Sequence, residues 1–464
     1  MATSLRLMHG AYRLLGSTGK RAFSVSSMRY LLSETYSCNE AWKKYLQDPT
    51  LNQISLDGFS HQIYEQLEKN RGVSGVDINV LAHQFHKMEE EDVEYIVDIL
   101  ARFNLCHSNY PRNDSTSHAI ARGFLDTNSG EDLINLLSDR LTYGIYPNHY
   151  TLNLIMDFFI KQGDFHKAAK VSYCSMIQED FSNPINTLLS LQSSVQHLLT
   201  SNIDDLAPPP KEQSEGEENW IKVDYIQFPY YDDHFDIKDE RFLLGKTLLM
   251  LGKVQSIGLP KDLRNSLQII GCGLYHKFGK GVTLLKDILG SSDGSISQKA
   301  LDYFSESLEK VEARDPNEPE VELALRTIDD VIHRILPTTD EKAEYQVEFL
   351  KLKEELSSQG KIQTDFDLGK TVTEFVTTHV SQYEEPDISS QTKLFNVWIE
   401  ARNNELNEQM AEIRKKARIE EMKKQLVELE KQEELLTYFD FEEKIRLHFV
   451  DEDRATDPNL TIST

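Results

Sequence analysis

The sequence lacks a long apolar run, and this absence limits what the chain can be. Across its 464 residues no stretch approaches the roughly 18 apolar residues that a membrane-spanning helix requires. The four cysteines are scattered, without the paired spacing of a zinc site or the density of a disulfide framework, at Cys38, Cys106, Cys174 and Cys272. We therefore expect reduced structural thiols and no membrane partner.

Basic residues are too few to balance the acidic ones, with 50 Lys and Arg against 76 Asp and Glu, and the formal net charge is −26. A protein that coats nucleic acid by neutralising its phosphates is usually basic. If this chain binds RNA, it must do so through local patches. Its acidic surface instead favours long-range attraction to basic proteins.

Acidic residues are absent from positions 1–33, which carry serines and a local charge of +5 from Arg6, Arg13, Lys20, Arg21 and Arg29. Such a composition is typical of a mitochondrial transit peptide and predicts import into the mitochondrial matrix. The segment Arg21-Ala22-Phe23-Ser24 resembles a processing site that is cut after Phe23. The alternative is a disordered basic tail that binds RNA or a membrane surface.

The rest of the chain divides by composition. Residues 34–203 show helical spacing of apolar residues, and residues 204–219 form an acidic, proline-containing linker. Helical patterns return over residues 220–290, which we expect to form helical hairpins, and over residues 291–386.

Glycine and proline are both absent between Asp387 and Asp457, which predicts one long charged helix over residues 387–457. A helix of ~50 residues would span roughly 75 Å. Its apolar seam loses register between its two halves, so a continuous coiled-coil core is not expected. A projecting helix that docks on a large partner fits the pattern better. A solvated charged face is the alternative for its middle third.

Two segments, residues 114–148 and 149–183, align at an offset of 35 residues. Ile120 aligns with Ile155, and Asn128 aligns with Gly163, where each unit must turn. A two-helix unit this short cannot bury both of its faces alone, so stacking against similar units is expected. The spacing therefore predicts an all-α chain of repeated helical hairpins.

The residues Tyr143-Gly144-Ile145-Tyr146-Pro147-Asn148 lead into the second unit, which begins with His149 and continues with Tyr150-Thr151-Leu152-Asn153, and this stretch resembles a pentatricopeptide repeat. With Arg29–Ser33, Asp232–Asp236 and Leu244-Gly245-Lys246-Thr247-Leu248, it is similar to the protein 27 family of the mitochondrial small ribosomal subunit. The resemblance implies an α-solenoid of pentatricopeptide-like hairpins with a long charged C-terminal helix. It also implies binding to small-subunit ribosomal RNA and to neighbouring ribosomal proteins.

In pentatricopeptide repeats a base is read by the fifth and last residues of a unit. The resemblance implies that these RNA-binding positions are Asn153 with Asn183 and His118 with Asn148, and Lys161 lies on the same predicted concave face. Few regular repeats are present, so shape and backbone contact with structured RNA is expected rather than base reading.

No set of residues predicts catalysis, a cofactor, a metal or a small-molecule substrate. Gly245-Lys246-Thr247 lacks the glycine of a phosphate loop, because Glu240 occupies its position. Asp232, Asp233, His234 and Asp236 lack the spacing of a calcium loop. We therefore predict a non-enzymatic binding protein.

Three functions fit these observations. The first is a structural component of the mitochondrial small ribosomal subunit that supports translation. The second is a free mitochondrial RNA-binding factor in transcript processing or translation activation. The third is an assembly scaffold without RNA contact.

Overall fold

The computed structural model describes residues 31–52, 54–69, 71–106, 113–201, 239–291, 294–316, 336–444 and 446. These residues are almost wholly helical, which confirms the predicted all-α class. Short 3-10 helices lie at Glu34–Ser37, Phe85–Lys87 and Glu90–Asp92. The α-helices, labelled α1 to α17 in chain order, are Asn39–Leu46, Pro49–Asn52, Leu56–Glu68, Gly75–Ala82, Val93–Leu105, Asp114–Asp126, Gly130–Ser138, Arg140–Tyr143, His149–Gln162, Phe165–Ile177, Pro184–Thr200, Glu240–Leu251, Lys261–Leu274, Phe278–Gly290, Gln298–Lys310, Thr339–Ser358 and Leu368–Asp440.

The two aligned segments both fold as helical hairpins. Helices α6 and α7 form the first hairpin, and α9 and α10 form the second. The chain reverses at Asn128 and Gly163, whose φ angles of 60° and 81° lie in the left-handed region. Asp164 begins the returning helix, because its Oδ1 accepts a hydrogen bond from the backbone N–H of Lys167. The predicted turn positions are confirmed.

The second hairpin packs against α11, and its inner faces are apolar. Met156, Phe159, Ala168 and Met176 are buried there. The small alanine side chain allows α10 to lie close to its neighbours. These contacts establish adjacent hairpins. The α-solenoid path through the whole chain stays a prediction.

Helices α12 and α13 approach each other closely at two glycines. A Cβ atom at Gly245 would lie 2.7 Å from the backbone nitrogen of Tyr275. A Cβ atom at Gly271 would lie 2.6 Å from the backbone nitrogen of Leu249. Only glycine permits this approach without moving the backbone.

Two glycine-containing segments take part in this crossing. Gly245-Lys246-Thr247 lies inside α12 and not at the strand-to-helix turn of a phosphate loop. Gly271-Cys272-Gly273 forms the last turn of α13, which ends at Leu274, so these glycines lie at a helix end.

A small strand pairing was not predicted from the sequence. Strand β1 (Ile296–Ser297) pairs in parallel with β2 (Ile362–Gln363), which follows α16. The Nζ of Lys361 donates to the backbone oxygens of Leu289 and Ser291, at 2.6 and 2.7 Å. This pairing ties the start of α15 to the start of the long helix.

The long helix α17 begins at Leu368, earlier than the predicted residue 387. Pro386 lies inside it, where we expected a helix boundary. Proline removes one backbone hydrogen bond from a helix, but packing of the flanking turns against α11 and α1 holds the helix together here. Val372, Val376 and Phe395 are buried in these contacts.

Several predictions lie outside the described residues: the leader with its cleavage after Phe23, the linker at 204–219 and the Asp232–Asp236 segment. Among the residues that are described, no helix is both long enough and apolar enough to cross a membrane. The division of the chain at residues 34–203, 220–290, 291–386 and 387–457 stays a prediction.

Candidate nucleic-acid interface

The five residues predicted to bind RNA lie on the N-terminal hairpins, but in different environments. His118 and Asn153 point inward from α6 and α9, and both side chains are fully buried. Asn148 and Asn183 precede α9 and α11, and Lys161 lies on the last turn of α9. Only some of these side chains therefore face solvent.

The buried pair is covered by the protein's own N-terminal segment. The Nδ2 of Asn153 donates a hydrogen bond to the Oη of Tyr36 at 2.9 Å. The hydroxyl of Tyr150, one turn away, donates to the backbone oxygen of Tyr36 at 2.6 Å. The position predicted to read a base is thus occupied by residues that precede the repeats.

The long helix covers the other buried position. The ring of His118 lies 5.7 Å from that of Phe395 and 5.4 Å from that of Trp398, between ring centroids. Trp42, from the N-terminal segment, approaches it edge-on at 5.0 Å. The side chains of His118, Trp42, Phe395 and Trp398 therefore form an aromatic core on this side of the hairpins.

Polar contacts fix His118 within this core. Its Nδ1 lies 2.8 Å from the Oγ1 of Thr151, and its Nε2 accepts a hydrogen bond from the Nε of Arg122 at 2.9 Å. Burial and the neighbouring guanidinium lower the pKa of His118 well below its usual range. Burial in this core therefore favours the neutral imidazole.

The two terminal asparagines act as helix caps. The Oδ1 of Asn148 accepts a hydrogen bond from the backbone N–H of Thr151 at 3.0 Å. The Oδ1 of Asn183 does the same for Asn186 at 2.9 Å. Each satisfies a backbone donor that the first turn of a helix leaves unpaired.

Lys161 is the one lysine among the five residues predicted to bind RNA. Its Nζ lies 2.6 Å from the Oδ2 of Asp157, four residues earlier on α9, and its side chain is 30% exposed. Burial raises the pKa of Asp157 against the opposing effect of this lysine. An RNA contact by any of the five residues stays a prediction.

A basic pocket lies elsewhere, where we did not predict a site from the sequence. It has a volume of about 620 Å³ and is lined by one glutamate, Glu179, and by Lys246, Lys253, Lys277 and Lys280. The Nζ atoms of Lys246 and Lys277 lie 5.3 and 5.5 Å from the ring centroid of Tyr275. Lys246 lies on α12 and Lys253 lies just after its end, so no regular spacing in the sequence announces the pocket.

The end of the long helix forms a second surface. Every residue from 411 to 438 is exposed, so this part leaves the helical body. Residues 413–424 contain six basic and two acidic residues, whereas residues 425–443 contain one lysine among seven acidic residues.

The fold and these surfaces define an all-α binding protein with helical hairpins and a projecting, charge-divided helix. A family model described as mitochondrial 28S ribosomal protein S27 matches residues 11–428. The chain belongs to this family, which confirms the resemblance found in the sequence. It is therefore a mitochondrial protein of the small ribosomal subunit, in a family that is generally non-enzymatic.

Proposed function

We propose that the protein is a structural component of the mitochondrial small ribosomal subunit. It binds ribosomal RNA locally, contacts neighbouring proteins over other surfaces, and supports translation in the matrix. Membership of the family supports the proposed place in the small ribosomal subunit. The main observation behind this proposal is the exposed end of the long helix. In the described part of the chain no other element packs against it, so we expect it to bind a partner.

The exposed helix has the character of a contact surface. Ile413, Leu429 and Leu436 are 59%, 63% and 66% exposed. Large apolar side chains repeated along one exposed segment commonly mark an interaction site. The basic part, residues 413–424, suits RNA phosphates, and the acidic part, residues 425–443, suits basic proteins.

The lysine pocket supplies a second RNA contact. Its four lysines concentrate positive charge on a protein whose formal net charge is −26. Concave basic surfaces attract phosphate even when the rest of the protein repels it, because charges beyond about 10 Å are largely screened at 0.1 M salt. Two separated basic sites suit binding to one structured RNA by shape.

The two other functions make different demands. A free transcript-binding factor needs an open groove, but Tyr36 and Trp398 contact the residues that would read bases. A scaffold without RNA contact gives no role to the basic part of the helix. Crosslinking in mitochondria distinguishes the three functions. Our proposal predicts that most crosslinked RNA is small-subunit ribosomal RNA. Crosslinks mainly to messenger transcripts would favour the free factor, and crosslinks to proteins alone would favour the scaffold.

Import into the matrix would use the acid-free leader at residues 1–33. Cleavage after Phe23 removes four basic residues and lowers the formal net charge from −26 to about −30. Mass spectrometry of the protein from mitochondria should find Ser24 as the first residue. A mature chain that retains Arg6 and Arg13 would contradict the proposed processing.

Sucrose-gradient sedimentation tests the ribosomal role. The wild-type chain should comigrate stoichiometrically with the small subunit at moderate salt. The triple variant K415E/K416E/R418E should dissociate at lower salt, because it loses phosphate contacts on the exposed helix. If the wild-type chain stayed near the top of the gradient, the proposal would be wrong.

A matched control separates local binding from overall charge. K299E/K351E/K370E reverses three exposed lysines outside both basic surfaces. It should behave as the wild type does, although its net charge equals that of the first variant. K253E/K280E tests the pocket in the same way. Equal loss of binding by all three variants would contradict local recognition.

A further inference from the structure

Three potential metal ligands converge where the two halves of the chain meet. His166 lies on α10, His197 on α11, and Glu240 is the first residue of α12. The Nε2 atoms of His166 and His197 lie 2.7 and 3.5 Å from the Oε1 of Glu240, and all three ligand atoms lie within 4.8 Å of one another. The two imidazole rings are 4.9 Å apart.

His197 supplies a second, independent observation. Its side chain is 3% exposed, yet its Nε2 has no hydrogen bond, and neither has the adjacent Oε1 of Glu240. The contacts are short enough for ion pairs, but their angles do not make hydrogen bonds. A buried nitrogen in this state is costly unless a cation or a proton lies between it and the carboxylate.

The other ring nitrogen shows which atom is available to a ligand. The Nδ1 of His197 lies 3.0 Å from the Oγ of Ser201. A hydrogen bond on one ring nitrogen orients the imidazole and directs the other nitrogen to a metal, as in many zinc sites. Ser201 therefore holds Nε2 towards Glu240 and His166.

Glu240 contributes a carboxylate oxygen beside two imidazole nitrogens, and this mixed set of donor atoms suits a transition metal such as zinc.

We propose that His166, His197 and Glu240 bind a divalent transition metal, with Zn²⁺ as the ion that fits best. Zinc favours tetrahedral sets of imidazole and carboxylate at about 2.0 to 2.2 Å. The exposed side of His166 leaves room for a water as fourth ligand.

The site would act structurally. Helices α11 and α12 flank the connection from Ser201 to Asp239, and the metal joins the end of one to the start of the other. Metal binding to the folded state alone stabilises that state. The ligands come from three successive helices and are separated by whole helices or loops, so no short spacing motif announces them.

Zinc titration of the full-length chain tests this assignment. The purified protein is freed of metal with a chelator and titrated with ZnCl₂ against a chromophoric competitor. One equivalent should bind to the wild type and raise its melting temperature. H166A and E240Q should each weaken binding by at least about tenfold, the lower limit seen when even outer-sphere partners of a metal are lost.

Two controls keep the result interpretable. His166 is 45% exposed, so H166A should retain the wild-type helical content by circular dichroism. H149A removes a histidine that pairs with Asp180 instead and should leave zinc affinity unchanged. Equal affinity of H166A and wild type, or no zinc binding by either, would overturn the proposal and leave a proton-linked cluster.

Discussion

Asn153 donates a hydrogen bond to Tyr36 at 2.9 Å, across 117 residues of sequence. The same tyrosine hydroxyl donates to the Oδ2 of Asp387 on the long helix at 2.5 Å. One phenol therefore joins the N-terminal segment, a central hairpin and the long helix. A face that could read RNA in a repeat protein is used here to close the fold.

Replacing Tyr36 by phenylalanine tests this junction. The Y36F variant leaves the buried Nδ2 of Asn153 without its acceptor and removes the hydrogen bond to the half-buried Asp387. One unpaired buried group costs about 1–3 kcal/mol, so the midpoint of guanidinium denaturation should fall. Y146F changes a tyrosine that is 52% exposed and should leave the midpoint unchanged. Equal effects of the two variants would argue against the junction.

A second junction holds the long helix to the N-terminal segment. The Nη2 of Arg402 lies 2.5 Å from the Oδ2 of Asp48, and its Nη1 donates to the Oη of Tyr45 at 3.1 Å. Arg402 is 1% exposed. Removing one partner of a buried ion pair costs about 3–5 kcal/mol, so R402M should unfold at clearly lower denaturant.

The control for R402M is an exposed ion pair. Lys286 lies within ion-pair distance of Glu348, and its side chain is 54% exposed. Exposed pairs contribute about 0–1 kcal/mol. K286M should therefore unfold near the wild-type midpoint. Hydrogen exchange should also show faster exchange around residues 39–46 in R402M. No difference between the two variants would show that Arg402 does not anchor the helix.

The hairpins were predictable because their signals are local. Gly163 can adopt a left-handed turn, and Asp164 can cap the next helix, wherever the sequence places them. The family resemblance was equally local in origin. These local features were enough to predict the all-α class, because they do not depend on contacts between distant residues.

The contacts that bury His118 and Asn153 could not be predicted from local sequence signals. His118 carries no local sign that Phe395 and Trp398 will pack against it from a helix almost 280 residues later. Pro386 likewise predicts a helix boundary by local rules. Packing on both of its sides overrides that preference, and such packing depends on the tertiary structure.

The crossing of α12 and α13 gives a third prediction. A Cβ at Gly271 would lie 2.6 Å from the backbone nitrogen of Leu249 and 2.7 Å from the carbonyl oxygen of Gly245. G271A should therefore destabilise the protein, by about 1–3 kcal/mol as for other overpacked sites. The melting temperature measures the effect.

Gly290 provides the matched substitution. It ends α14, and a Cβ there would meet nothing within 4 Å. Alanine has a higher helix propensity than glycine, by about 1 kcal/mol. G290A should therefore leave the melting temperature unchanged or raise it. A similar fall for G271A and G290A would exclude close helix approach as the cause.

His276 makes stability depend on pH. It is buried, and burial together with Arg241 lowers its pKa to about 3. In the unfolded chain the pKa is about 6.5. Between these values the unfolded state binds more protons, so the contribution of His276 is full above pH 6.5 and declines as the pH falls towards 3.

His276→Asn isolates this contribution. The residue has a φ of 55°, a conformation that asparagine tolerates better than most residues. At pH 5.5, one unit below the unfolded pKa, the wild type should have lost about 1.4 kcal/mol through this group. Between pH 7.5 and 5.5 the free energy of unfolding should therefore fall by about 1.4 kcal/mol less in the variant than in the wild type. Denaturant unfolding at each pH measures this difference. H61N, on the surface, controls for loss of an imidazole. A parallel decline in H276N and wild type would show that His276 is protonated in the folded protein.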